Sequence, residues 1–328
     1  MKQRVFGPTG RSVGEVGLGC WQLGGADWGD VSDEQAIGTL QAAVDHGVDF
    51  FDTADVYGSG RSEELIGKFL KMASRDIYVA TKLGRGSDPG WPGNFTRDAV
   101  RRHTEASLRR LGVDVLDLTQ LHCIPGEVMQ QGDIFEWLRE LKTEGKIRAF
   151  GASVESMDEA LLCLEQDDLA SLQIIFNIFR QKPVSTLFGH ASAQGTAIIV
   201  RLPLASGLLS GKMGKDTKFA PTDHRSYNRD GQAFNVGETF AGLPFEVGVA
   251  LSEELKTYVP EGMTMAQMAL RWILDFPAVS VVIPGARNAA QVEANTSASD
   301  LPPLPAALHA RLSEFYRHKV ADHIRGPY

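Results

Sequence analysis

A chain of 328 residues, 43% hydrophobic and 23% charged, can form one large α/β barrel or two ordinary domains, with ample core for either. Its formal net charge of −8 argues against nucleic acid or an anionic membrane surface as partner. Three scattered cysteines, Cys20, Cys123 and Cys163, argue against a disulfide framework or a zinc site, and no stretch resembles a signal peptide or a membrane span, so a cytoplasmic protein is expected.

The opening "RVFGPTGRSVGEVG" reads as a hairpin that turns at Gly7, Pro8, Thr9 and Gly10. From there a β-branched run, a polar loop and an amphipathic stretch recur. Strands are predicted at 16–20, 48–52, 77–82, 115–122, 147–153, 172–176, 197–202 and 279–284. Helices are predicted at 33–46, 62–72, 97–111, 134–144, 157–165, 183–194 and 265–275, with a further one at 305–319 outside the repeat. Eight strands alternating with helices predict a (β/α)8 TIM barrel. No Pro- or Ser-rich linker divides the chain, so residues 1–328 are read as a single domain. A doubly wound nucleotide fold would want a Gly-x-Gly-x-x-Gly turn after its first strand. In "GLGCWQLGG" the glycines are mis-spaced and no helix opens there. Residues 212–242 have weak periodicity, and loops of that length are usually functional or mobile.

Barrel chemistry sits where strands end, so the polar residues at strand ends define the candidate site. The second strand ends in Asp52, and Tyr57 lies in its loop; "VATKLGRG" places Lys82 at the third tip and "LDLTQLHCIP" places His122 at the fourth. Neighbouring strands lie about 5 Å apart, so these side chains can converge. Tyr57 is the candidate general acid. A free phenol, with a pKa of about 10, donates poorly at neutral pH, and a Lys82 ammonium beside it would lower that value. Asp52 would hold the lysine charged, and His122 would orient a carbonyl oxygen and stabilise its developing charge. Each residue also has an ordinary structural reading: a turn cap, loop packing, a solvated lysine, a buried histidine. A Schiff-base lysine aldolase is a rival that uses Lys82 alone. Trp21, Trp28 and Trp91 are candidates for the substrate pocket; aromatic walls suit apolar and sugar-like substrates alike.

These residues resemble the aldo-keto reductases. "GVDFFDTADVYGSGRSEELIG" is similar to that family's aspartate–tyrosine signature, "VATKLG" to its lysine strand and "VDVLDLTQLHCIP" to its histidine strand. The resemblance runs from "LGCWQLGG" to "VIPGARNAAQVEAN". It implies a TIM barrel, a nicotinamide dinucleotide bound without a Rossmann domain, a small carbonyl or alcohol substrate (sugars included), and a tetrad of Asp52, Tyr57, Lys82 and His122. It also implies that Ser153 and Gln173 hold the nicotinamide carboxamide, with Val154 where many members have asparagine. Arg201 stands where many members stack a tyrosine on the ring; this departure resembles a bacterial subgroup similar to the inositol-operon protein of bacilli. Leu204, Ser206, Ser210 and Lys212 match the stretch that wraps the pyrophosphate. After the eighth strand, a glycine and a helix start make the usual barrel phosphate site. Gly285 replaces a lysine common in the family, Arg287 can meet a 2′-phosphate, and Gln291 and Asn295 match residues at the adenosine end. NADPH is the expected cofactor, with NADH as the alternative. A second function within the same resemblance is a cofactor-binding regulatory subunit similar to potassium-channel β subunits, although no extra N-terminal interaction segment precedes the barrel.

Overall fold

Two antiparallel strands, β1 (Gln3–Val5) and β2 (Ser12–Gly14), open a computed structural model that describes residues 1–86, 90 and 93–328. Eight parallel strands follow: β3 (Leu18–Gly19), β4 (Phe50–Asp52), β5 (Tyr78–Leu83), β6 (Leu116–His122), β7 (Ile147–Ser153), β8 (Leu169–Ile175), β9 (Ala197–Arg201) and β10 (Val279–Val282). Each pairs with the next in chain order. The sheet closes on itself through parallel bridges Val16–Val282 and Gly19–Gly285, with Gly17 N donating to Val282 O at 2.8 Å. The barrel and the N-terminal hairpin are therefore as predicted. The first strand is shorter than expected, and the sixth begins three residues earlier, at Leu169.

Side-chain alternation along each strand divides the core in two. Outward residues such as Phe51, Val79, Leu121, Phe150 and Leu172 pack beneath the helices. Inward residues near the strand starts, among them Phe50, Tyr78, Ala80, Leu118 and Ile199, fill the lower barrel. Phe6 of the hairpin plugs the bottom, its ring 5.3 Å from both Phe50 and Tyr78. Continuing up the same inward rows leads to Asp52, Lys82 and Gln120, so the polar rim follows from the strand period. One strand needs a correction of phase. Phe150 pairs with Leu169 but Gly151 pairs with Ser171, so β8 carries one extra residue there, a β-bulge. Above it Gln173 pairs with Ser153 at the rim.

The helices start where the sequence supplies caps. Ser32 with Gln35, Ser156 with Glu159 and Thr264 with Gln267 form capping boxes at Asp33–Asp45, Met157–Leu164 and Met265–Leu274. The helix predicted over 183–194 is broken into Pro183–Thr186 and Phe188–Gln194 by the non-helical Leu187. Helices Gly126–Gln131 and Phe245–Leu255 were not anticipated. Among the described residues no helix is long and apolar enough to cross a membrane.

The irregular stretch after β9 folds into short helical turns and forms a strap over the barrel mouth. Asn228, fully buried, shapes it by accepting from Ala233 N and Phe234 N (2.8 and 2.9 Å) and donating to Thr239 Oγ1 (3.1 Å).

Candidate active site

Lys82 Nζ reaches Asp52 Oδ1 at 2.5 Å, Thr53 O at 2.9 Å and the Tyr57 hydroxyl at 3.3 Å. Lys82 and Asp52 are both almost fully buried. The other Asp52 oxygen accepts from the Gln173 amide at 2.7 Å and the Gln120 amide at 3.3 Å. His122 stands edge-on to Tyr57, with ring centroids 5.8 Å apart and an interplanar angle of 86°. Its Nδ1 has no hydrogen-bond partner among the described residues. Tyr57 is held by its loop. Gly58 has φ +59, and a side chain there would meet Gly24 O at 2.3 Å, so only glycine allows the loops after β3 and β4 to touch. Trp21 stacks on Tyr57 at 5.8 Å and 18°.

Burial opposes charge on Lys82, but Asp52 and Tyr57 more than offset it, and the ammonium is held above its usual range. A lysine so placed is not a free amine, which counts against the aldolase alternative. The expectation that Lys82 brings the Tyr57 phenol below its ordinary value is corrected. Burial pushes it up to about 12, and Lys82 opposes that rise only in part. Burial, then the charges of Arg85, Lys82 and Arg201, hold His122 well below its ordinary range, so the imidazole is neutral. A second carboxylate lies between Asp52 and Tyr57 in the chain. Asp55 is buried, neither of its oxygens has a hydrogen-bond partner among the described residues, and its Oδ2 lies 3.9 Å from His103 Nδ1. Burial, then Glu63, pushes it up to about 7.

Residues 15–317 match the aldo/keto reductase family. The chain belongs to that family. It is 31% identical over 301 residues to aldo-keto reductase YhdN of Bacillus subtilis, covering 90% of this chain and 87% of that one. A probable voltage-gated potassium channel subunit beta of Arabidopsis thaliana is 30% identical over 330 residues, with 93% of each covered. The NADH-specific methylglyoxal reductase of Escherichia coli is 29% identical over 317 residues, covering 92% of this chain and 94% of that one. In structure it is similar to aldo-keto reductase AKR11C1 of Bacillus halodurans in its holo form, with a TM-score of 0.78, 26% identity and 96% of each chain covered. This aldo/keto reductase is therefore an NAD(P)H-dependent oxidoreductase acting on carbonyl or alcohol groups.

The residues that the family resemblance assigns to the cofactor are spread along the rim of this reductase. Ser153 is buried, with Cys123 Sγ 3.7 Å from its hydroxyl. Gln173 spends its amide on Asp52 and Gln120, which leaves its carbonyl oxygen for a carboxamide N–H. Arg201 donates to Val154 O at 3.1 Å, while its buried Nε has no partner among the described residues. Ser206 is consumed internally: its hydroxyl accepts from Phe240 N and donates to Glu238 O. Ser210 bonds Gly207 O, Leu204 is half-buried and Lys212 is exposed. Leu202, Ala205 and Ser206 all have positive φ, so the backbone after β9 is strained where the strap begins. A side chain at Gly285 would meet the Gln22 amide at 2.1 Å, so Gln22 fills the space that the family's lysine would need. Arg287 is exposed, its backbone N–H donates to Gln291 Oε1 at 2.8 Å, and Asn295 donates to Gly285 O at 3.3 Å. Buried atoms with no hydrogen-bond partner among the described residues, Gln22 Oε1, Trp28 Nε1 and Arg201 Nε, together with a capped helix start at Ala289–Thr296, fit a polar dinucleotide.

Several participants were missed in the sequence. Gln120, which braces Asp52, shares an inward row with His122, and period-two spacing could have found it. The latch between strap and first loop could not be found that way. Asp27 accepts from Trp21 Nε1 (3.1 Å) and from the Tyr227 hydroxyl (2.7 Å), and His224 packs against both Trp21 and Trp28. Trp91 lies outside the described residues.

Proposed function

We propose that this protein reduces an aldehyde or ketone at the expense of NADPH, and reversibly oxidises the alcohol, with Asp52, Tyr57, Lys82 and His122 as the working residues. The observation that carries this is the single ammonium bonded at once to a buried carboxylate and to a phenol hydroxyl. The cofactor supplies hydride to the carbonyl carbon when bound. Tyr57 holds the proton at its hydroxyl and delivers it to the carbonyl oxygen; Lys82 stabilises the phenolate left behind, and Asp52 keeps Lys82 charged and in place. His122, neutral, offers an N–H to the same oxygen and fixes the substrate's orientation. Ser153, Gln173 and Arg201 would hold the nicotinamide end, Leu204, Ser206, Ser210 and Lys212 the pyrophosphate side, and Gly285, Arg287, Gln291 and Asn295 the adenosine end. For Ser206 the role falls to its backbone, since the hydroxyl is engaged. Exposed Arg287 supports NADPH over NADH.

The test is oxidation of NADPH and NADH followed by absorbance with a panel of aldehydes, ketones and sugars, in wild type and Tyr57→Phe. Removal of a general acid should lower kcat by about 10²–10⁴-fold, while cofactor titration by protein fluorescence stays unchanged. A variant keeping more than about a tenth of wild-type kcat would take the proton from Tyr57.

A further inference from the structure

Beside these four residues lies a group of charges that proton donation does not require. Arg85, in the loop after β5, donates to Glu155 Oε1 at 3.1 Å and to Glu238 Oε1 at 3.3 Å. Glu155 follows β7, and Glu238 comes from the strap. Arg201, ending β9, approaches the same Glu238 oxygen at 3.8 Å. The side chains of Arg85, Glu155, Glu238 and Arg201 are 25, 17, 8 and 12% exposed, so the group is enclosed but not sealed. Its formal charges balance. Cys123 Sγ accepts from Arg201 at 3.6 Å, and Cys123 is the residue after His122.

The field of this group reaches the reacting positions. Arg85 and Arg201 contribute to holding His122 neutral, and Glu238 contributes to the rise of the Tyr57 phenol. The other side of Tyr57 is aromatic, with Trp21 stacked on it. Tyr57 thus has the Trp21 ring stacked on it and a group of paired ions near enough to act on its hydroxyl, a group that reaches through Arg201 to Cys123, the residue after His122.

We infer that Arg85, Glu155 and Glu238 are specificity-determining residues that select hydroxyaldehydes and hydroxyketones over apolar carbonyl compounds of the same size. The inference rests on the reductase reading above. An apolar substrate would exclude water from two carboxylates and a guanidinium and return no hydrogen bond to them. A hydroxyl beside the carbonyl can donate to a carboxylate and accept from the guanidinium at once. The ion pairs hold these groups in position before substrate arrives, so little ordering is left to the binding step.

The test uses isosteric pairs that exchange a hydroxyl for a methyl: glycolaldehyde against propanal, and hydroxyacetone against butanone. The measured quantity is the ratio of kcat/KM within each pair. Intrinsic carbonyl reactivity is the same in any variant, so the wild-type ratio is divided by that of Arg85→Met/Glu155→Gln, which removes one charge of each sign. Loss of one hydrogen bond to a charged group predicts a fall of about tenfold to a hundredfold in this ratio, carried mainly by KM of the hydroxylated member. The near-isosteric Glu155→Gln alone should move the ratio the same way, and it guards against a double variant that fails to fold. A merely structural role would lower both members alike; an unchanged ratio, or a wild type that prefers propanal and butanone, overturns the inference while the reductase reading stands. If no carbonyl compound oxidises NADPH or NADH, the reductase reading falls and the inference with it.

Discussion

Replacing Lys82 with methionine would strand the Asp52 carboxylate. The lysine supplies the bond at 2.5 Å, and what remains is two neutral amides, Gln173 at 2.7 Å and Gln120 at 3.3 Å. Removing one partner of a buried ion pair costs about 3–5 kcal/mol, because the other charge stays desolvated and unopposed. The amides offset part of this, so the lower half of that range is expected here, still a large share of the ~5–15 kcal/mol that holds a folded protein. Adding Asp52→Asn removes the stranded charge and should restore about 2 kcal/mol, within the usual coupling of residues in contact. Equilibrium urea unfolding, followed by the fluorescence of the five tryptophans, measures both variants. The sign with pH is also defined. Lys82 is held above its usual range, so its contribution is complete below the unfolded lysine value of about 10.4 and is lost only as pH rises through the higher folded value. The deficit of Lys82→Met should therefore be equal at pH 6 and pH 9. A deficit below about 1 kcal/mol, the scale of an exposed pair, would refute the reasoning.

Asp55 runs the opposite way to most carboxylates. With its folded value raised to about 7, its stability contribution is present in acid and lost as pH rises through 7, so Asp55→Asn should gain on the order of 1–3 kcal/mol at pH 8 and almost nothing at pH 4. Equal urea midpoints for both proteins at pH 8 would contradict that. If Arg287 meets a 2′-phosphate, Arg287→Ala should weaken NADPH binding by about tenfold to a hundredfold and leave NADH nearly untouched, read by fluorescence titration at fixed salt. Equal losses for the two cofactors would make it a loop support.

The barrel and the convergence of Asp52, Tyr57 and Lys82 were legible because both are local patterns. Strand period and strand ends are written in consecutive residues, and βα alternation then brings the ends to one face. Neighbouring strands deliver Asp52 and Lys82 to the same ion pair for that reason. What escaped depends on distance along the chain. Nothing near Asp27 announces that Tyr227, two hundred residues later, will bond to it. Nor does anything near Arg85 announce Glu238. The Tyr57 phenol was misjudged because the lysine beside it could be read from spacing, whereas the burial that outweighs the lysine is set by the loop after β3, with Trp21 over the ring.

The extra residue in β8 bears on which genetic changes this chain can survive. Leu169 and Leu172 both face the helices, and the two residues between them, Ala170 and Ser171, change the strand's parity before Gln173. Most substitutions in the upper strand would alter one contact each. Deleting Ala170 would only take out the extra residue: Leu169, Ser171, Leu172 and Gln173 keep their partners on β7 and read out, in, out, in, with Gln173 still facing the bowl. Within this strand, point substitution and loss of the extra residue are permitted, while a single-codon insertion between Ser171 and Gln173, with no second bulge to absorb it, amounts to a frameshift in space that sends Gln173 outward. It would yield a chain that still pairs its strands and has lost a brace of Asp52.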